Sequence, residues 1–303
     1  MNSEWDAVFP AEFELAAYRA LNLGLAHMDD DALAFHYQAH GKAEGRQCSR
    51  VHDRNSFITQ VPAGLEVLEI GPFWAPAFRR PRHNVAYMDV FDQEELQRRA
   101  ANDANSRGAV VPEIDYIWRG ERYRDLIKRE FDVVYSSHNI EHQPDLIAHL
   151  QDVESVLVPS GVFCLVIPDK RYCFDHFIAE STIAAVTEAH VYRRKRHSLA
   201  TLLTDRLMHT HNDAMEHWQG RHGSDPRFAA PVVDRTAAVR DRVTKSLSSD
   251  DYVDAHAWQF TSDSFRSITG ELEALKLTGL RPIRVYQTVY GSFEFYAVLE
   301  KRT

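Results

Sequence analysis

The sequence predicts an α/β chain built on a mostly parallel sheet with helices on its faces. Three observations carry that prediction. From residue 65 to residue 168, short apolar runs ending in turns alternate with longer polar, helix-periodic stretches, and this alternation implies parallel strands joined by helical crossovers. The run Leu65-Glu66-Val67-Leu68-Glu69-Ile70 stops at Gly71 and a turn follows at once, as in a buried strand that delivers backbone to a ligand at its carboxyl end. The chain closes on two alternating runs, residues 284–289 and 293–299, which read as a terminal antiparallel pair.

Composition bounds the rest. At 303 residues the chain makes one large domain, or one domain with appendages. A hydrophobic content of 44% beside 26% charge is that of a globular protein with ample residues for a core. The net charge of −9 lacks the lysine and arginine excess that phosphate backbones demand, so no nucleic acid is expected as partner. The basic stretch at residues 192–197 reads as a solvated helix face. The acidic N-terminus lacks the order of a signal peptide, and no apolar run approaches membrane-spanning length. Cys48, Cys164 and Cys173 are too few and too scattered for a disulfide framework or a zinc site, so the cytoplasm is the expected compartment.

In chain order, residues 1–50 form an N-terminal helical segment. Phe13, Leu15, Ala16, Ala17, Tyr18 and Leu21 make one apolar face, and Asp31 to Tyr37 a second short helix. Residues 36–46 resemble a short element appended to bacterial glycosyltransferases and other surface-polysaccharide enzymes. The competing reading is a packing helix with Gly41 as its C-cap. A larger domain, 51–303, follows. Its strands are residues 65–70, 85–89, 114–118, 131–137 and 162–168, with helices over 91–104 and 145–157. Residues 170–258 break the alternation and are predicted to be a helical lid or substrate insertion after the fifth strand. Ser262 is a plausible N-cap for a last helix striped by Phe265, Ile268, Leu272 and Leu275 and stopped by Gly279.

The binding edge follows from the strand tips. Gly71 has no Cβ to block a close approach, Glu69 is placed to accept hydrogen bonds from an amino-bearing ligand, and Asp89 to accept both hydroxyls of a ribose. The turn Gly71-Pro72-Phe73-Trp74-Ala75-Pro76 has one glycine and two prolines, a poor cradle for a pyrophosphate. An adenosyl ligand without phosphate fits it better. Here the chain resembles the class I S-adenosylmethionine-dependent methyltransferases, with Glu69-Ile70-Gly71 similar to their first motif and Asp89 to their ribose acid. The later glycines of that motif are missing. The resemblance runs from the first motif through the fifth strand. It implies a Rossmann-like, mostly parallel seven-stranded sheet with flanking helices, S-adenosylmethionine as cofactor, and a cofactor site of Glu69, Gly71, Pro72, Asp89, Gly120, Glu121 and Ser137. Trp74 or Trp258 either stacks on a ring of the ligand or packs the core.

Two further constellations sit at the same edge. In Ser136-Ser137-His138-Asn139-Ile140-Glu141-His142, the residues His138, Glu141 and His142 at i, i+3 and i+4 share one helical face. They read as divalent-metal ligands, as a general base (His138 or His142), or as an ordinary helix start. In Ile167-Pro168-Asp169-Lys170-Arg171-Tyr172-Cys173-Phe174-Asp175-His176, polar and aromatic residues follow an apolar strand. The run resembles that of a methyltransferase group often associated with cell-surface glycan synthesis. Asp169 is a catalytic candidate, and Arg171, Tyr172, Asp175 and His176 are candidates for holding a polyhydroxylated substrate, unless Arg171 and Asp175 form a lid-anchoring ion pair. His209, His211, His217 and His222 cluster by count, in a chain with 16 histidines.

The function expected is methyl transfer from S-adenosylmethionine to a hydroxyl of a sugar, glycan or related small molecule. The alternatives are a nicotinamide-dependent sugar oxidoreductase and a catalytically silent carbohydrate-binding protein. The expected partner is a small-molecule or glycan acceptor, with no transmembrane segment and a homo-oligomer left open.

Overall fold

The strands are β1 (Glu66–Ile70), β2 (Asn84–Asp89), β3 (Tyr116–Ile117), β4 (Phe131–Ser137), β5 (Leu157–Pro168), β6 (Leu280–Val285) and β7 (Glu294–Lys301). They form one sheet in the order β3-β2-β1-β4-β5-β7-β6. Neighbours from β3 to β5 are parallel, and β7 runs antiparallel between β5 and β6. This is the Rossmann-like, mostly parallel seven-stranded sheet that the sequence predicts. The structure, a computed structural model, describes residues 3–104, 106, 108–228, 233–248 and 252–302.

Both faces of the sheet are covered, which is why its central strands are near-continuous apolar runs. On one face Leu68, Ile70, Val134 and Leu165 pack beneath α6 (Leu146–Val156), α7 (Ile183–Val191) and α11 (Ser262–Ala274). Helix α6 is capped by Asp145, whose carboxylate accepts the Ala148 N–H at 2.9 Å, a contact worth about 1 kcal/mol. On the other face Val67, Val133, Tyr135 and Tyr296 meet Trp5, Phe9 and Phe57. Phe57 belongs to α3 (Arg54–Ile58), which follows α1 (Leu15–Leu21) and α2 (Asp30–His36). Helices α4 (Gln93–Asn102) and α5 (Tyr123–Leu126) flank β3. After β5 come α7, α8 (Leu199–Met208), α9 (Ala214–Trp218) and α10 (Val233–Ser248), the helical insertion. Among the described residues no helix is long and apolar enough to cross a membrane.

Several expectations shift. Gly41 is no C-cap. It lies in a π-helical turn, Tyr37–Gly41, where an added Cβ would stand 2.1 Å from the Tyr18 hydroxyl, and the chain reverses at Gly45 with φ +65°. The last helix is capped by Thr261, not Ser262, through a capping box with Ser264, and it ends at Leu275 with Lys276 at φ +58°. Gly279 instead permits a close approach, its N–H donating to Glu154 Oε2 at 2.8 Å. Strand β6 starts four residues earlier than its alternation suggested. The 1–50 segment is sewn to the sheet domain: Trp5 Nε1 donates to the Ser160 carbonyl at 2.7 Å, the Val285 N–H to Glu12 at 2.6 Å, and the Tyr290 N–H to the Gly45 carbonyl at 2.8 Å.

Candidate active site

The chain leaves β1 towards β2 and β3 on one side, then returns to place β4 on the other. Connections therefore part above the β1 and β4 tips, where open parallel sheets bind ligands. Gly71 stands there at φ +70°, its N–H on the Met88 carbonyl, and the nearest atom to an added Cβ is Asn139 Nδ2 at 3.9 Å. Phe73 also adopts a positive φ, +42°. Residues 71–83 form turns and no helix, so no helix N-terminus faces the crevice from this connection. Pro72 is buried. Trp74 packs with Phe73 and Phe91 over Leu96 and Ala100, and Trp258 is buried with its Nε1 on the Gln143 carbonyl at 2.6 Å.

Glu69 is buried and accepts the N–H groups of Ala77 at 2.7 Å and Phe78 at 3.0 Å. Burial pushes its carboxyl up to about 7 against the pull of those amides. Its first role is therefore to hold the post-β1 loop, rather than to meet a ligand directly. Asp89, at the end of β2, has its pKa raised by burial, and its carboxylate meets the backbone N–H groups of Phe91, at 3.2 Å, and Val90. Beside it the Trp118 N–H donates to the Asp89 carbonyl at 2.9 Å, and Gly120, φ +102°, has open space around it. Glu121 closes that loop by accepting the Arg119 N–H at 2.8 Å. Ser137 ends β4, half-buried. Its neighbour Ser136, which the sequence reading passed over, has a buried hydroxyl with no partner.

Beyond β4 the backbone departs from a helix. His138 has φ +49°, and only Ile140–His142 makes a short 3₁₀ turn, so His138, Glu141 and His142 do not share a helical face. His138 Nε2 lies 2.8 Å from Glu294 Oε1 on β7, and its Nδ1 lies 3.5 Å from Glu141. Burial lowers its pKa, but the two carboxylates overcome this and raise it to about 9. An imidazolium between two carboxylates is no resting base, which corrects that role for His138. His142 sets Nδ1 on Asp254 at 2.9 Å. Burial lowers its pKa, and Asp254 and Glu141 raise it further than burial lowers it. The group with ligand spacing is Glu141, His142 and His256, with His256 in the place expected for His138. His256 and Asp254 are brought in because the Ala257 and Trp258 N–H groups both donate to the Glu141 carbonyl, at 2.7 and 3.3 Å.

The run after β5 is mostly scaffold. Asp169 is fully buried and accepts from Arg171 Nε at 2.9 Å and Nη2 at 2.6 Å, and from the Thr288 hydroxyl at 2.7 Å. It has no face left for catalysis, which corrects that assignment. Arg171 is spent on the same pair, and not on Asp175. Asp175 lies 2.6 Å from His256 Nδ1 and 3.6 Å from His209 Nε2, so it buttresses histidines rather than a sugar. Tyr172 stacks on Trp218 at 3.8 Å, and His176 stacks on His222 at 3.8 Å. His176, His217 and His222 form a second group with ligand spacing. His209 stays apart from it, bound to Asp205 at 3.1 Å.

No family model matches this chain, and no curated protein does. Among solved structures, the CcbJ methyltransferase from Streptomyces caelestis is similar at 11% identity, covering 96% of this chain and 100% of that one, with a TM-score of 0.41. A zinc-dependent alcohol dehydrogenase from Rhodobacter sphaeroides is similar at 11% identity, covering 86% and 92%, with a TM-score of 0.43. A methyltransferase from Clostridium acetobutylicum reaches 0.39 at 11% identity, covering 78% and 84%. Likenesses of this size decide neither chemistry nor substrate, and the fold rests on the chain's own strand order.

Proposed function

We propose that this protein transfers a methyl group from S-adenosylmethionine to a hydroxyl of a sugar, glycan or similar polyhydroxylated molecule. The observation that carries the reading is the crevice at the β1 and β4 tips. There Gly71 leaves the backbone open, Asp89 keeps a carboxylate for a ribose diol, and the post-β1 connection has no helix N-terminus to cradle a pyrophosphate. The last feature disfavours a nicotinamide dinucleotide. Gly120 and Glu121 take the adenine end and Ser137 the entrance, with the buried Pro72 fixing the turn after Gly71.

The reaction is an in-line displacement at the sulfonium methyl. The protein's tasks are to hold the acceptor oxygen about 3 Å from that methyl and to ease loss of its proton. We assign the second task to Glu141, His142 and His256 beyond β4, and leave His138 as a fixed positive charge. The Tyr172–Trp218 stack offers an aromatic wall to a sugar ring. Three buried free cysteines suit a reducing compartment such as the cytoplasm.

Isothermal titration with S-adenosylhomocysteine tests the reading. Binding is expected, and Asp89→Ala should weaken it about tenfold or more. Folded protein that fails to bind at millimolar ligand would sink the proposal.

A further inference from the structure

We infer that Glu141, His142 and His256 form a divalent-metal centre that uses one carboxylate and two imidazoles and selects a first-row ion such as zinc, manganese, iron(II) or cobalt. One ligand atom from each lies within 4.8 Å of the others. Both imidazoles have the ring nitrogen Nδ1 fixed by a carboxylate, His142 by Asp254 at 2.9 Å and His256 by Asp175 at 2.6 Å. This leaves His142 Nε2 facing Glu141 at 3.8 Å, and Nε2 as the ring nitrogen of His256 not taken by Asp175. Such outer carboxylates set the tautomer and orientation of metal-bound histidines.

Glu141 supplies an independent observation. Its side chain is fully buried, and neither oxygen has a hydrogen-bond partner. The nearest nitrogens, His138 Nδ1 and His142 Nε2, stand 3.5 and 3.8 Å away. The His138 imidazolium on one side gives this buried carboxylate no hydrogen bond, and its oxygens stay open to a cation placed between Glu141, His142 and His256. Two nitrogens and one oxygen suit zinc or a transition ion, whereas magnesium and calcium take oxygen sets. His142 is 27% exposed, so an ion and one further ligand can enter from its side.

The second histidine group is a weaker candidate. His217 Nδ1 lies 3.0 Å from His222 Nδ1 and its Nε2 3.1 Å from the His211 carbonyl, so its nitrogens already have partners. Three protein ligands at the Glu141 centre leave open positions for oxygen donors. Their use by the acceptor, as one hydroxyl or an adjacent pair, rests on the methyl-transfer reading.

The test is cobalt binding to chelator-stripped protein, followed by visible d–d absorption and by displacement with zinc. One ion per chain is expected. Glu141→Gln and His256→Ala should each weaken it by roughly a hundredfold, and Asp175→Asn by roughly tenfold, while His217→Ala leaves it intact. Circular dichroism checks that each variant folds. X-ray absorption at the zinc edge of the unaltered protein is a measurement that needs no variant, and it should count two imidazoles plus oxygen donors. No ion bound at millimolar cobalt, unchanged bands in Glu141→Gln and His256→Ala, or a three-imidazole shell would each overturn the inference. S-adenosylhomocysteine binding is measured in parallel. Cobalt bound without it fails the methyl-transfer reading alone, and the reverse result fails the metal centre alone.

Discussion

His149 is a histidine kept neutral by where it sits. Its Nδ1 lies 3.3 Å from the Tyr123 hydroxyl, its Nε2 is buried without a partner, and burial pushes its pKa down to about 4 from 6.5. A depressed folded-state pKa gives stability that is full above the unfolded value and is lost as pH falls from 6.5 towards 4. Asp152, one turn along α6, is raised to about 6 by burial against the pull of Arg122, and works in the opposite sense between 3.8 and 6. Comparison with His149→Phe isolates the histidine. From pH 7.5 to pH 5 the natural protein should lose about 2 kcal/mol relative to the variant in urea denaturation. Parallel pH profiles would mean that His149 takes a proton in the fold. At this scale the candidate site was half legible in the sequence. Glu141 and His142 stand in one heptapeptide that reads as chemistry. Their third companion, His256, lies across an insertion whose return path no local pattern reveals. Asp169 and Arg171 looked like catalytic and substrate-holding groups because charges just after a strand do, yet the two pair with each other.

Among the elements, β1, β2, β4 and β5 were readable because they are inner strands, largely buried, and bounded by glycine, proline or polar turns, whereas β3, at the sheet edge, shrinks from the expected 114–118 to Tyr116–Ile117. Strand β6 was not, since Leu280-Arg281-Pro282-Ile283-Arg284-Val285 carries a proline, which normally argues against a strand. It is tolerated because β6 lies at the sheet edge, with its register shifting between Pro282 and Arg284. The N-terminal segment makes the same point through Gly41. Its backbone is not left-handed, and the requirement for glycine comes from the Tyr18 hydroxyl. Gly41→Ala should therefore destabilise by about 1–3 kcal/mol through overpacking. Gly64→Ala, at φ +91° with nothing within 4 Å, should cost only the backbone penalty of about 1 kcal/mol. Equal losses in the two variants, measured by denaturant midpoint at constant slope, would contradict this account of Gly41.

For the molecule as a whole, the insertion of residues 170–258 is fastened at its ends, by α7 on the sheet face, and by Trp218 Nε1 on the Ser292 carbonyl at 2.8 Å, with α8 and α10 paired away from those ties. The Lys170 N–H donates to the Phe260 carbonyl at 2.8 Å and the Ser181 N–H to the Gln259 carbonyl at 3.0 Å, while α8 packs chiefly on α10. Elements with few ties to the core open most readily, so the insertion is expected to behave as a lid over the crevice. Hydrogen exchange should separate the two ligands. S-adenosylhomocysteine should protect residues 71–78, 89–91 and 119–121, and zinc should protect 138–143 and 252–258. Adding both should slow exchange through the α9 region, and unchanged exchange there would leave the insertion a passive appendage.

The Glu141 carbonyl that receives both the Ala257 and Trp258 N–H groups also has a kinetic consequence. Ligands contributed by the turn after β4 and by the far end of the insertion cannot meet until that long excursion has closed, and closures of high sequence separation come late. A refolding chain supplied with cobalt should therefore regain its secondary structure first, and develop colour only in its slowest phase.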